Sequence, residues 1–126
     1  MSRITALAEL IRNNSDCDVK TDYGKEFDEL LNSKPVKKDT IFIVYTAVSP
    51  TRFLEDNSTI NEYNFTLFVR TIRDIEESTD ELISILSSNS VNCEQGSFSI
   101  ALNSVTFSHE ENFTLTTINL TLTKGF

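Results

Sequence analysis

The sequence has few of the residues on which most catalytic and metal-binding motifs depend. Its 126 residues include 3 glycines, 2 prolines, 2 cysteines and a single histidine. Because Gly24, Gly96 and Gly125 are isolated, no glycine-rich loop is present to hold a phosphate group. Cys17 and Cys93 lie far apart and neither has a C-x-x-C partner, so the clustered ligands of a metal site are missing. We expect no metal site and two structural thiols in a reducing compartment.

His109 is the only histidine that could act as the base for a serine or cysteine nucleophile. It lies in a predicted turn beside Glu110 and Glu111, whereas a catalytic histidine needs an orienting partner and a pocket. The carboxylates likewise lie in strongly polar segments that do not favour acid–base catalysis. The sequence therefore predicts no catalytic residue, no cofactor and a protein that is not an enzyme.

Long hydrophobic runs are also missing. None approaches the roughly 20 apolar residues that span a bilayer. The first five residues carry one positive charge and lead into a helical pattern, which is not typical of a signal peptide. We therefore expect no membrane association. The composition, 39% apolar and 24% charged, is that of a globular protein, and residues 1–126 are expected to form one domain.

The net charge is −8, from 11 basic and 19 acidic side chains. This balance argues against a protein that grips nucleic acid, because such binding depends on phosphate neutralisation by Lys and Arg. It is compatible with a surface that nucleic acid passes without sticking, although solubility is the ordinary reason for an acidic surface. The basic group from Lys34 to Lys38 is too short to change this interpretation.

The clearest pattern runs from Asn61 to Ser88. It predicts one long strand from Glu62 to Ile72 and one amphipathic helix from about Glu76 to Ser88. The sequence Ser78-Thr79-Asp80-Glu81 matches a capping box at the start of this helix. The alternating strand residues are Tyr63, Phe65, Leu67 and Val69, and the helix stripe is Ile75, Thr79, Leu82, Ile83 and Leu86.

The remaining segments add a first helix, further strands and a hairpin. Ser2 is expected to cap a helix that runs to about Asn13. The other predicted elements are a short strand from Cys17 to Tyr23, a short helix from Glu26 to Asn32, and a bent hairpin from Phe98 to Thr123. The apolar alternation slips after Leu102 and again after Leu115; each slip predicts either a β-bulge or a strand that changes the face it presents. The sequence therefore predicts an α+β fold with a mixed, mostly antiparallel sheet and two main helices packed on one face.

The strand predicted from Thr40 to Val48 is apolar on both faces. Two helices can cover one face only, so the other face needs a second sheet or a neighbouring subunit, unless the sheet curls on itself. The following segment, Ser49 to Thr59, is predicted to be a long loop. It contains Arg52, Phe53 and Leu54, which we interpret as a subunit contact, the alternative being that the two apolar residues fold back on the core.

Two passages resemble a known family. Residues 22–28, Asp-Tyr-Gly-Lys-Glu-Phe-Asp, resemble the Tyr-Gly-x-Glu-Phe motif of a tail protein family of Mu-like contractile-tailed phages. The apolar strand Ile41–Tyr45 and the strand Tyr63–Arg70 follow in the same order, and the order of elements is similar to the tail-terminator proteins of long-tailed phages. The resemblance covers about Thr21 to Leu86. The chain departs from the family in its Asn/Thr-rich character and in the charged sequence Lys37-Lys38-Asp39.

The resemblance implies a structural role in a virion. Tail terminators form a hexameric ring that caps the tail tube, ends its polymerisation and provides the head-joining surface, without a cofactor. The implied partners are further copies of the chain, the tail-tube protein and the head–tail connector protein, while DNA passes through without specific binding. The implied location is the virion tail, after assembly in the host cytoplasm. Arg52, Phe53 and Leu54 are the candidate ring contacts.

Three alternatives remain open. One is another neck, tail-completion or injection-machine cap protein. A second is a small, non-enzymatic ligand-binding α+β module, which predicts a monomer or dimer with an apolar pocket. The third is an enzyme, which predicts a buried ionisable group with perturbed properties.

Overall fold

The computed structural model describes residues 1–21, 38–52, 59–72, 74–110 and 113–124, with the backbone alone at 51, 52 and 59. These residues form two helices and six strands, an α+β fold that confirms the predicted class. The short helix predicted from Glu26 to Asn32 lies outside the described residues. The helices are α1 (Arg3–Asn14) and α2 (Ile75–Ser88), and the strands are β1 (Asp18–Lys20), β2 (Thr40–Arg52), β3 (Thr59–Thr71), β4 (Val91–Cys93), β5 (Gly96–His109) and β6 (Thr114–Lys124).

All six strands belong to one sheet with the order β1-β2-β3-β6-β5-β4. Only the β1–β2 pair is parallel, so the sheet is mixed and mostly antiparallel, as predicted. Both helices contribute to one hydrophobic core together with a single sheet face, which we call the helix face. The core side chains that are fully buried include Leu7, Ile11, Ile41, Leu67, Leu82, Leu86, Ile118, Leu120 and Leu122. This arrangement follows from the period-two alternation of β3 and the helical stripes of α1 and α2.

The sheet is curled, because α1 contacts both of its edge strands. Near the end of α1, the Arg12 guanidinium donates a hydrogen bond of 2.5 Å to the Val19 carbonyl oxygen in β1. Near its start, the Met1 ammonium group lies 3.0 Å from the Glu94 carboxylate, which follows β4. A flat six-stranded sheet would be too wide for one helix to reach both edges. The curled sheet was one of the alternatives left open for the strand predicted from Thr40 to Val48.

The two helices begin at polar caps. Ser2 caps α1, and its hydroxyl accepts a hydrogen bond from the Thr5 amide, as predicted. Asp74 caps α2 by accepting a hydrogen bond from the Glu77 amide. The capping box predicted at Ser78 is therefore wrong: Ser78 is buried inside the first turns of the helix, and its hydroxyl donates to the Asp39 carboxylate. The sequence motif alone does not show that a buried acid from another segment accepts a hydrogen bond from this hydroxyl.

The prediction of a loop from Ser49 to Thr59 is wrong at both of its boundaries. β2 continues through Arg52 and β3 begins at Thr59, with Pro50 paired to Asn61 and Arg52 paired to Thr59. Proline cannot donate to a neighbouring strand and is tolerated on exposed edge strands, so Pro50 does not end this strand. The two strands form one long hairpin.

The two slips in the C-terminal hairpin have different origins. The first is a register shift in β5 between Leu102 and Ser104, which confirms a bulge. The second is a change of face, because β6 pairs with β3 in unbroken register while Leu115 lies in a cluster separate from the main core. Strand β4, which the sequence pattern did not predict, joins β5 through a tight turn ending at Gly96, whose φ of 124° favours glycine. Cys17 is buried and Cys93 is half-buried, and the two form no disulfide with each other.

Candidate assembly surface

Along the far half of the β2–β3 hairpin, β2 has an edge to which no described strand pairs. β1 pairs with β2 only from Thr40 to Phe42. Beyond Phe42, within the described part of the chain, β2 pairs with β3 on one side and with no strand on the other. Such an edge presents backbone N–H and C=O groups that can pair with another strand. We call residues 45–52 of β2 and 59–64 of β3 the distal hairpin.

A bulge separates the distal hairpin from the core. The register of β2 against β3 shifts between Tyr45 and Ala47. Before the bulge Ile43 is fully buried, whereas residues 45–50 are all exposed. Tyr45 is 41% exposed although its ring lies 4.1 Å from the ring of Phe65, and Val48 is 51% exposed. The bulge therefore marks the point where β2 leaves the core and presents apolar side chains to solvent.

Of the three predicted contact residues, the structure describes only the backbone of Arg52. Arg52 is the last residue of β2 and pairs with Thr59. Its side chain, together with Phe53 and Leu54, lies outside the described residues. Tyr45 and Val48, which sequence reasoning placed in the core strand, are the exposed apolar residues that the structure adds to this region. Their exposure could not be found from alternation, because a bulge moves a residue off the helix-covered part of the sheet without changing its residue type.

The sheet face opposite the helices, which we call the open face, is dominated by uncharged polar side chains. One row of hydrogen bonds crosses four strands: Asn64 donates to Ser49, Thr121 donates to Asn64, and Asn103 donates to Thr121. In a second row Thr66 donates to Asn119, and Asn119 donates to Ser104. Because hydroxyl and amide groups satisfy one another across the strands, these side chains tolerate partial burial without charges.

An apolar and cationic cluster occupies the other end of the open face. Phe42 is buried there against Phe68 and Leu115. Arg70 is also buried, with its guanidinium carbon 4.5 Å from the centre of the Phe113 ring. Desolvation by burial lowers the pKa of Arg70. Since arginine nevertheless stays protonated in proteins at neutral pH, the aromatic face stabilises a buried positive charge.

His109, the one histidine weighed as a catalytic base, is exposed at the end of β5. Its ring nitrogen Nδ1 lies 3.5 Å from the Thr114 hydroxyl. Among the described residues, no group of three or more His, Cys, Asp or Glu side chains is placed to hold a metal ion. In the same part of the chain, neither helix has the length and apolar character needed to cross a bilayer.

Comparison with known proteins does not assign the chain to a family. No family model matches it. A search of curated proteins also finds no significant match.

Proposed function

We propose that the chain is a structural virion protein that assembles as a ring on the end of a phage tail tube. In this role it ends tube polymerisation and offers a surface to the head connector. The observation that carries the proposal is the distal hairpin, a long strand edge with exposed apolar side chains on an otherwise acidic protein. The resemblance of residues 21–86 to tail-terminator proteins is the reason for proposing a ring on a tail tube and not another kind of assembly.

The distal hairpin suits contact between copies because it carries little charge. Residues 45–52 and 59–64 contain only Arg52 and Glu62 as charged residues, whereas the whole chain has a net charge of −8. Copies of a protein with this charge repel each other at most surfaces. The repulsion between copies is weakest where the surface carries little charge. Burial of the exposed apolar area of Tyr45 and Val48 in such a contact is then favourable.

Replacing Val48 with Glu should weaken assembly, because it adds a negative charge to each contact and removes apolar area. We expect the association constant to fall at least roughly tenfold, which corresponds to a loss of about 1.4 kcal/mol of binding free energy at a contact. Sedimentation velocity over a range of protein concentrations measures this, and negative-stain electron microscopy shows whether rings form alone or on tubes of the tail-tube protein. Phe53→Ser with Leu54→Ser tests the contact predicted from sequence in the same assay.

Ile72→Glu is the matched control. Ile72 is 52% exposed, close to the 51% of Val48, but it lies beyond β3 at the opposite end of the strand. The control should assemble as the unmodified chain does. Equal loss in both variants would point to general charge repulsion, and a chain that stays monomeric with and without tail tubes would contradict the proposal.

A second candidate is a small ligand-binding module. One pocket of about 230 Å³ favours it, lined by α1, β3, β5, β6 and the turn after β4. This pocket is polar and cationic, whereas an apolar pocket is predicted for this class of protein. A monomer at all concentrations that binds a small molecule in the pocket would favour this candidate over the ring.

A further inference from the structure

The pocket of about 230 Å³ brings together two positive charges from distant segments. Arg3 comes from the first turn of α1 and Lys124 from the end of β6. The remaining wall includes Asn61, Tyr63, Gln95 and Phe98. We call this the cationic pocket. It lies at the helix face, at the side where the start of α1 meets β4 and β5.

Two aromatic rings hold the Arg3 guanidinium in place. Its central carbon lies 3.8 Å from the centre of the Tyr63 ring and 5.0 Å from that of Phe98. The two rings meet edge to face at 5.8 Å. The Nε atom of Arg3 is buried and has no hydrogen-bond partner. Aromatic contacts of this kind fix the plane of a guanidinium and leave its N–H donors for an anion.

Lys124 reaches the pocket across Gly96. A Cβ atom at Gly96 would lie 3.2 Å from Lys124 Cε, so the absence of a side chain there leaves room for the lysine. Within the described ranges, no ion pair joins Arg3 or Lys124 to a carboxylate. Glu94, the acid next to the pocket residue Gln95, lies 3.0 Å from the Met1 ammonium instead. Two cations therefore share a small concave site in which no carboxylate of the described residues pairs with either of them.

We propose that the cationic pocket binds a carboxylate group. The Arg3 fork pairs with its two oxygens, Lys124 supplies the second positive charge, and the side-chain amides of Asn61 and Gln95 are the neutral donors. A carboxylate is favoured over a dianion such as phosphate because the net charge of −8 penalises a second negative charge. The group has two sources, an acidic side chain of a second copy or a free small carboxylate. The binding site itself does not rest on the proposed ring function.

Titration with sodium acetate tests the site directly. At constant ionic strength maintained with sodium chloride, we expect saturable amide chemical-shift changes at Lys124, Gln95 and Asn61, with a dissociation constant in roughly the millimolar range for so small a ligand. Lys124→Gln should weaken acetate binding roughly tenfold, the size expected for one charged hydrogen bond. Arg3→Lys keeps the positive charge but loses the planar guanidinium that can donate two parallel hydrogen bonds. This variant should also weaken acetate binding.

Lys38→Gln is the control, because it removes the same charge from an exposed lysine outside the pocket. It should bind acetate as the unmodified chain does. Lys124→Arg, which keeps a positive charge, should retain binding and so separates loss of the site from a failure to fold. Shifts that do not saturate, or equal acetate affinity in Lys124→Gln and the control, would overturn the proposal.

Sedimentation of the same variants identifies the source of the carboxylate. If a second copy supplies it, Lys124→Gln lowers self-association and acetate competes with self-association of the unmodified chain. If a free carboxylate is the ligand, Lys124→Gln loses acetate binding and self-associates normally. Both results support the pocket. Neither depends on ring formation through the distal hairpin, which the Val48→Glu variant tests separately.

Discussion

Replacing Asp39 with Ala should lower the free energy of unfolding by about 3–5 kcal/mol, because two hydrogen bonds to a buried carboxylate are lost and the buried Ser78 hydroxyl loses its acceptor. Asp39 is 6% exposed. One carboxylate oxygen accepts a hydrogen bond of 2.9 Å from the Ile72 amide, and the other accepts one of 2.9 Å from the Ser78 hydroxyl. Urea denaturation followed by circular dichroism measures the loss.

The large expected loss of stability follows from the number of elements that Asp39 connects. Its carboxylate connects the residue before β2 to the segment after β3 and to the first turns of α2, and its backbone oxygen accepts a hydrogen bond from the Asp18 amide in β1. Four elements therefore meet at one side chain and its peptide group. Since a small domain is stable by only about 5–15 kcal/mol, this substitution should remove a large share of the total.

Asp18→Ala is the control for loss of an acidic side chain. The Asp18 carboxylate is exposed and lies 4.0 Å from Lys20, a surface pair worth at most about 1 kcal/mol. Its backbone amide still donates to Asp39 in the variant. A double-mutant cycle with Ser78→Ala isolates the bond between Asp39 and Ser78. Equal losses in Asp39→Ala and Asp18→Ala would show that the buried carboxylate contributes no more than a surface acid.

Local patterns were sufficient for the fold class but not for the position of every boundary. The stripes of α1 and α2 and the alternation of β3 depend on neighbours within a few residues, so the sequence carries them directly. The error at Ser78 arises from Asp39, which lies 39 positions away along the chain. The error at Pro50 arises from its exposed position in the sheet. Both depend on tertiary contacts that periodicity does not contain.

The candidate sites were harder to predict for the same reason. The contact at Arg52, Phe53 and Leu54 could be proposed because its two apolar residues lie in one short polar stretch of the sequence. The cationic pocket combines four stretches of the chain, at residues 3, 60–63, 95–98 and 124, and Arg3 in the sequence resembles an ordinary solvent-facing helix residue. Its contacts with Tyr63 and Phe98 follow only from the packing of α1 on this part of the sheet.

Replacing Phe65 with Ala should destabilise the protein by about 3–5 kcal/mol, the range for a fully buried phenylalanine. Phe65 is 1% exposed at the centre of β3, opposite Tyr45 in β2 and Leu120 in β6. Its removal leaves a cavity in the core and takes away the ring against which Tyr45 packs. Chemical denaturation gives the stability change. Because Tyr45 belongs to the distal hairpin, the variant should also loosen that end of the sheet, which amide hydrogen exchange detects.

Phe107→Ala is the matched control, because it makes the same substitution on the same sheet face. Phe107 pairs with Thr116, which pairs in turn with Val69 on the helix face. Both phenylalanines belong to strands with apolar alternation, yet Phe107 is 48% exposed whereas Phe65 is 1% exposed. Its truncation should cost about 1 kcal/mol or less, as at most surface sites. If the two variants lost similar stability, Phe107 would have to be as buried as Phe65. The position of the core in this fold would then be wrong.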